Sequence, residues 1–317
     1  MATPNGVERY GFQQEIIFDN YRFNMNKSSI YKSEAGRAAI LNWYDQRVES
    51  LGLEVDSHHV ETGFGRTHLL SAGPTDAPPV ILLHGMNMNA AAMTTAIRKL
   101  AVNNRVHALD IIGMPGKSSG TRPSRKGDGY AQWLSEVMQG LNLEKAGFVG
   151  QSFGGWLILK LAAITPKYIT AAALLGAGGL VSFTMWGQVV AGFTAIRHMI
   201  RSTKQNRFKA VRPFYASDED VDPEIEELLG MTYQYIKMDI DPSGLPVLKP
   251  GELSRFAAPV FVSYGAHDIF FDASQAMQKA DELFRGPATK EIVSNEGHLF
   301  SIHGEQLLYQ RVADFFG

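Results

Sequence analysis

The chain has 317 residues, 45 % hydrophobic and 20 % charged, with a formal net charge of -2 and no cysteine. That length and apolar fraction suit a packed globular protein, and the near-neutral charge argues against a chain-wide basic surface for nucleic acid. Without cysteine there is no disulfide, no thiolate metal site and no cysteine nucleophile.

Residues 1 to 26 are polar and aromatic, without the apolar centre of a signal peptide. Ile16, Ile17, Phe18, Tyr21 and Phe23 are apolar enough to pack on a surface. No apolar run is long enough to span a bilayer, so a cytoplasmic location is expected. Ser33-Glu34 resembles a helix start, and the alanines and Trp43 that follow carry a helix to about Ser50, where Gly52 suits its end.

From Leu53 the period shortens to that of strands. Val55 to Glu61 and Arg66 to Ser71 flank Thr62-Gly63-Phe64-Gly65, a hairpin pattern. Val80 to Leu83 is a buried-strand run that ends in His84-Gly85-Met86-Asn87. A helix is expected over 90 to 100, a strand over 105 to 112 and a helix over 129 to 141. Ala146 to Gln151 then reads as a strand that breaks at Ser152 and continues as an apolar helix.

Gly150-Gln151-Ser152-Phe153-Gly154 has a physical reason for its spacing. A serine that projects above a strand end sits on a very tight turn, and side chains two residues to either side collide. A second match, Gly116-Lys117-Ser118-Ser119-Gly120, has loop composition after it and reads as a turn. Asp110 is expected to anchor that loop by accepting backbone N–H bonds.

The alternation of buried strands and helices stops near Leu180 and resumes at Pro259. It indicates an α/β protein with a mainly parallel sheet covered on both faces. Residues 1–52 read as an N-terminal extension with one helix, 53–179 and 254–317 as the core, and 180–253 as a helical cap inserted after a strand's C-terminal end. Ligands bind at that end of open α/β sheets. The stripe from Phe183 to Met199 reads as core between cap and sheet, with Phe183, Trp186, Val189 and Phe193 as candidates to line an apolar acyl pocket. Six basic residues from Arg197 to Arg212, followed by an acidic run, read as a solvated, charge-balanced helix face.

Ser152 needs a base, and His298 in the loop after the last strand is suited to it. Asp268, after the preceding strand, is placed to orient that imidazole. His303 and Asp272 are the rivals. Two backbone N–H groups, of Met86 and Phe153, would face the developing oxyanion. His84 reads as structural, and no histidine spacing suggests a metal site.

These motifs resemble the α/β-hydrolase superfamily in its lidded, carboxylesterase-like branch. The resemblance rests on His84-Gly85-Met86, Asp110 with Gly113, Gly116 and Ser118, Gly150 to Gly155, Gly265 with Asp268, and Gly297-His298. Their order, Ser then Asp then His, is that of the superfamily. The resemblance implies an eight-stranded sheet whose second strand is antiparallel, a cap after the sixth strand, no cofactor or metal, and an acyl-serine intermediate. The expected substrate is a small to medium, largely apolar carboxylic ester, and the expected state a monomer or homodimer without nucleic-acid partner. A C–C hydrolase or lyase on the same three residues, with Arg197, His198 and Arg201 as polar groups, is the enzymatic alternative. A non-catalytic ligand receptor is the alternative from another class.

Overall fold

The computed structural model describes residues 29–239 and 244–317. Ile16, Ile17, Phe18, Tyr21 and Phe23 lie outside the described residues. The first helix, α1 (Glu34–Glu49), begins where Ser33 Oγ accepts the N–H of Gly36. Its start is clipped to a distant segment. Tyr31 bridges Ile236, and Lys32 donates its N–H to Tyr235 O at 2.7 Å.

The hairpin is as expected, with β1 (Val55–Thr62) paired antiparallel to β2 (Gly65–Ala72). The chain then alternates. It runs through β3 (Pro79–Leu83), α2 (Thr94–Leu100), β4 (Arg105–Leu109), α3 (Gly129–Gly140), β5 (Ala146–Gln151), α4 (Phe153–Ile164) and β6 (Ile169–Leu175). Three helices follow: α5 (Met185–Ile200), α6 (Lys204–Val211) and α7 (Pro223–Tyr235). The last elements are β7 (Val260–Gly265), α8 (Ala273–Leu283), β8 (Ala288–Val293) and α9 (Ile302–Phe316).

One sheet of 8 strands results, in the order β1-β2-β4-β3-β5-β6-β7-β8. β2 is antiparallel to both neighbours, and every pair from β4 onward is parallel. Side chains alternate between faces. Ile81 and Leu83 of β3 join a core with Trp133 of α3 and Trp156 of α4, while Val80 and Leu82 join one with Trp43 of α1 and Ile97 of α2. Both faces of the sheet are therefore covered, which explains why its central strands read as unbroken apolar runs.

β4 is shorter than expected, ending at Leu109 instead of Ile112. Asp110 N–H still bonds His68 O at 2.9 Å, but Met114 N–H turns back to Ile111 O, and the strand becomes a loop. The Asp110 carboxylate holds that loop. It accepts from Ala90 N at 2.8 Å, Lys117 N at 2.9 Å and His68 Nδ1 at 2.9 Å. Burial alone raises its pKa, but the His68 bond and charge and the two N–H donors outweigh burial and hold it below the usual carboxylate range. A Cβ on Gly116 would lie 2.6 Å from Asp110 Cγ, so the second glycine–serine motif serves this close approach.

Candidate active site

Ser152 sits between β5 and α4 with φ 51° and ψ -107°, a conformation that non-glycine residues seldom adopt. Its backbone is held from two sides, N–H to Leu175 O at 2.8 Å and O from Gly178 N at 3.1 Å. A Cβ on Gly150 would lie 2.5 Å from Gly154 C, and one on Gly154 would lie 2.2 Å from Leu83 O. Both glycines are thus required by contact, and the turn can bring Gly154, the second residue of α4, against Leu83 at the end of β3.

Three side chains distant in sequence meet there. Ser152 Oγ is 2.9 Å from His298 Nε2, and His298 Nδ1 is 2.8 Å from Asp268 Oδ2. The other Asp268 oxygen accepts N–H bonds from Phe270 at 2.8 Å and Phe271 at 3.1 Å. With those bonds satisfying one oxygen, the second faces the imidazole. The rings of Phe270 and Phe271 stand 5.0 Å and 5.6 Å from that of His298, so the pair is shielded from water. The His298 loop is fastened by Glu296, whose carboxylate accepts from Ser301 N and Ser301 Oγ.

The rivals stand elsewhere. Asp272 caps α8, accepting from Gln275 N at 2.9 Å, and is exposed. His303 is exposed in the first turn of α9. His84 is fully buried and uses both ring nitrogens, Nδ1 on Gly85 O at 2.8 Å and Nε2 on Ile111 N at 3.0 Å. Since Ile111 N–H donates to Nε2, the Nδ1 carries the proton. Burial lowers the pKa of this imidazole and keeps it neutral.

Gly85 packs beside Ser152: a Cβ there would lie 3.7 Å from Ser152 Cβ. Met86 follows on the wall of the same pocket. Phe153 is the first residue of α4, so its N–H has no acceptor within the helix.

The pocket beside Ser152 and His298 has a volume of about 300 Å³. Its walls are mostly apolar and include Phe183, Phe214, Phe270 and Leu245. Helix α5 contributes Gln188, Ala191, Gly192 and Ala195. Of the expected pocket residues, only Phe183 is on this wall. Trp186, Val189 and Phe193 are 72 %, 57 % and 66 % exposed, on the opposite side of α5. The reason is register. Positions 188, 191, 192 and 195 share one helical face, and 186, 189 and 193 another. The stripe from Phe183 to Met199 is thus not uniformly core, as expected from sequence. The polar groups proposed for a C–C cleaving site are also absent from the pocket wall. Arg197 and Arg201 are exposed, and His198 is buried against Gly230 O at 3.2 Å. Arg125, which the sequence reading missed, does reach the pocket and pairs with Asp239. A lone arginine in a loop carries no sequence signal that could have singled it out.

The family model for the alpha/beta hydrolase fold matches residues 78–194. The carboxylesterase YbfK of Bacillus subtilis is 28 % identical over 279 residues, covering 86 % of this chain and 91 % of its own. The crystal structure of that protein, carboxylesterase CesB (YbfK), superposes with a TM-score of 0.78 at 26 % identity, covering 89 % of this chain and 98 % of its own. The structure of naproxen esterase (carboxylesterase NP) from Bacillus subtilis superposes with a TM-score of 0.75 at 24 % identity, covering 88 % and 97 % respectively, a likeness of fold.

Proposed function

We infer that the chain is a member of the α/β-hydrolase superfamily in its carboxylesterase-like branch and, on that premise, a serine hydrolase of carboxylic esters. The observation that carries this reading is the Ser152–His298–Asp268 chain of contacts at 2.9 Å and 2.8 Å, opening on a mostly apolar pocket. The likeness to Bacillus carboxylesterases along most of the chain supports it.

In this reading Ser152 Oγ attacks the ester carbonyl as His298 Nε2 takes its proton. The carbonyl oxygen becomes an oxyanion facing the N–H groups of Met86 and Phe153. The imidazolium passes its proton to the departing alkoxide, which leaves as the alcohol. His298 then takes a proton from water as the water oxygen attacks the acyl-serine carbonyl, and when the bond to Ser152 Oγ breaks Nε2 returns that proton to Oγ, releasing the acid and restoring the free serine. Asp268 holds the Nδ1–H tautomer throughout and stabilises the transient imidazolium. Residues 180–253 act as a cap, and Phe183 with the inner face of α5 receives the apolar part of the ester.

A fluorophosphonate probe tests the nucleophile. One probe mass is expected on the peptide containing Ser152, and none in Ser152→Ala. That variant is expected to lose ~10⁶ in kcat on a nitrophenyl ester, as removal of such a serine does elsewhere. Near-wild-type turnover by Ser152→Ala overturns the assignment. Tight ligand binding without labelling instead points to a receptor.

A further inference from the structure

Helix α5 is apolar on two sides, and among the described residues only one of them is covered. Its inner side lines the pocket through Ala191, Gly192 and Ala195. Its outer side carries Met185 at 81 % exposure, Trp186 at 72 %, Phe193 at 66 % and Ile200 at 82 %, with Val189 and Ile196 also exposed. A helix with apolar residues all round ordinarily lies buried. Here the outer stripe is open, and a contiguous exposed apolar surface of this kind marks an interaction site.

The charges beside the stripe indicate what meets it. Between Val181 and Ser217 the sequence has no Asp or Glu, and it has six basic residues: Arg197, Arg201, Lys204, Arg207, Lys209 and Arg212. The balance expected from sequence is only partly made. Arg207 pairs with Glu226 and Arg212 with Asp218. Arg197, Arg201, Lys204 and Lys209 are exposed and have no ion pair among the described residues. At the end of α5 the two features merge in an open groove lined by Phe193, Ile196 and Ile200 together with Arg197 and Arg201.

We propose that the outer face of α5 docks on an anionic lipid bilayer surface, the apolar stripe entering the acyl boundary and the free cations meeting the headgroups. A helix lying in the interface has this division, with Trp and Phe on the buried side and Arg and Lys beside them. The 16-residue α5 lies along the surface in this arrangement; among the described residues no helix is long and apolar enough to cross a membrane. A second copy of the chain fits less well. An isologous pairing through α5 sets the unpaired cations against the same acid-free segment. The docking proposal does not depend on the ester-hydrolase reading, because its readout is binding.

Full-length protein is mixed with phosphatidylcholine vesicles, with or without phosphatidylglycerol, and binding is followed by co-sedimentation and tryptophan emission. Trp43, Trp133 and Trp156 are buried, so a blue shift on binding reports Trp186. The expected result is binding to the anionic vesicles with a blue shift, weakened by added salt. Arg197→Gln/Arg201→Gln is expected to lower partitioning about thirtyfold, from about fivefold per cation. Phe193→Asp/Ile196→Asp is expected to abolish the blue shift. Both pairs are at exposed positions, and an unchanged circular dichroism melt separates lost docking from lost folding. No binding to anionic vesicles overturns the proposal, as does binding equal on neutral vesicles or indifferent to the arginine pair. A concentration-dependent blue shift without lipid, with a doubled mass in light scattering, overturns it in favour of a second copy.

Discussion

The carboxylate of Asp268 lies 2.8 Å from Nδ1 of His298, and its other oxygen is occupied by the N–H groups of Phe270 and Phe271. The carboxylate therefore has one orientation, with an acceptor toward the imidazole. In Asp268→Asn the amide oxygen keeps the two N–H bonds and the amide NH₂ faces Nδ1. That imposes the wrong tautomer on His298. A fall of ~10⁴ in kcat is expected, as for the equivalent change in other serine triads. The circular dichroism spectrum should be unchanged. Asp272→Asn, which preserves a good helix cap, should leave kcat as it was. The reverse pattern moves the orienting role to Asp272.

Two glycines of the site region respond oppositely to the same methyl group. A Cβ on Gly154 would lie 2.2 Å from Leu83 O, a backbone atom of a central strand that has nowhere to go. Gly154→Ala is expected to cost about 1–3 kcal/mol, at least the usual figure for overpacking. A Cβ on Gly192 meets nothing within 4 Å. Gly192 lies inside α5, so Gly192→Ala removes backbone freedom from the unfolded chain and should stabilise by about 0.5–1 kcal/mol. Urea unfolding of the two variants beside wild type decides both signs. Equal effects would falsify the account of the turn.

His107 makes a contribution to stability that depends on pH. Burial, then the charges of Arg105 and His58, lower its pKa from 6.5 to about 4. Its Nδ1 lies 2.8 Å from Ser71 Oγ. The folded state thus favours the neutral ring. The stability from this group is present above the unfolded pKa near 6.5 and is lost as pH falls toward about 4. The loss is at most ~3 kcal/mol by linkage. Urea denaturation near pH 7 and near pH 4.5 should give a shallower difference for His107→Gln than for wild type. Parallel curves mean that His107 is not held neutral.

Much of this site was legible because its geometry demands particular residues. A turn that projects Ser152 leaves no space for side chains at 150 and 154, so glycine stands at both. Buried strands β3 and β5 need apolar runs, and Asp268 and His298 follow strands whose ends they must occupy. What was not legible is the direction of α5. A helix apolar on both sides has no polar face to set its rotation, so Trp186, Val189 and Phe193 read like pocket residues although Gln188, Ala191 and Ala195 are the ones that face inward. The end of β4 was hidden for a different reason. Ile111 and Ile112 are fully buried and strand-like in composition, but the Asp110 side chain has already taken over the backbone donors of the loop.

The orientation of α5 makes acyl selectivity the sharpest test of the pocket. Ala191 lines the cavity of about 300 Å³, and Val189 on the same helix is 57 % exposed outside it. Ala191→Phe should fill the acyl end of the pocket. Turnover of a long-chain nitrophenyl ester is expected to fall about tenfold or more relative to the acetate, since a few methylenes in an apolar pocket are worth that much. Val189→Phe adds a ring to the outer face and should leave the ratio of the two rates unchanged. The measurement is kcat/KM for both esters on both variants. If Val189→Phe shifts the ratio and Ala191→Phe does not, the inner face of α5 is not the wall that meets the acyl chain.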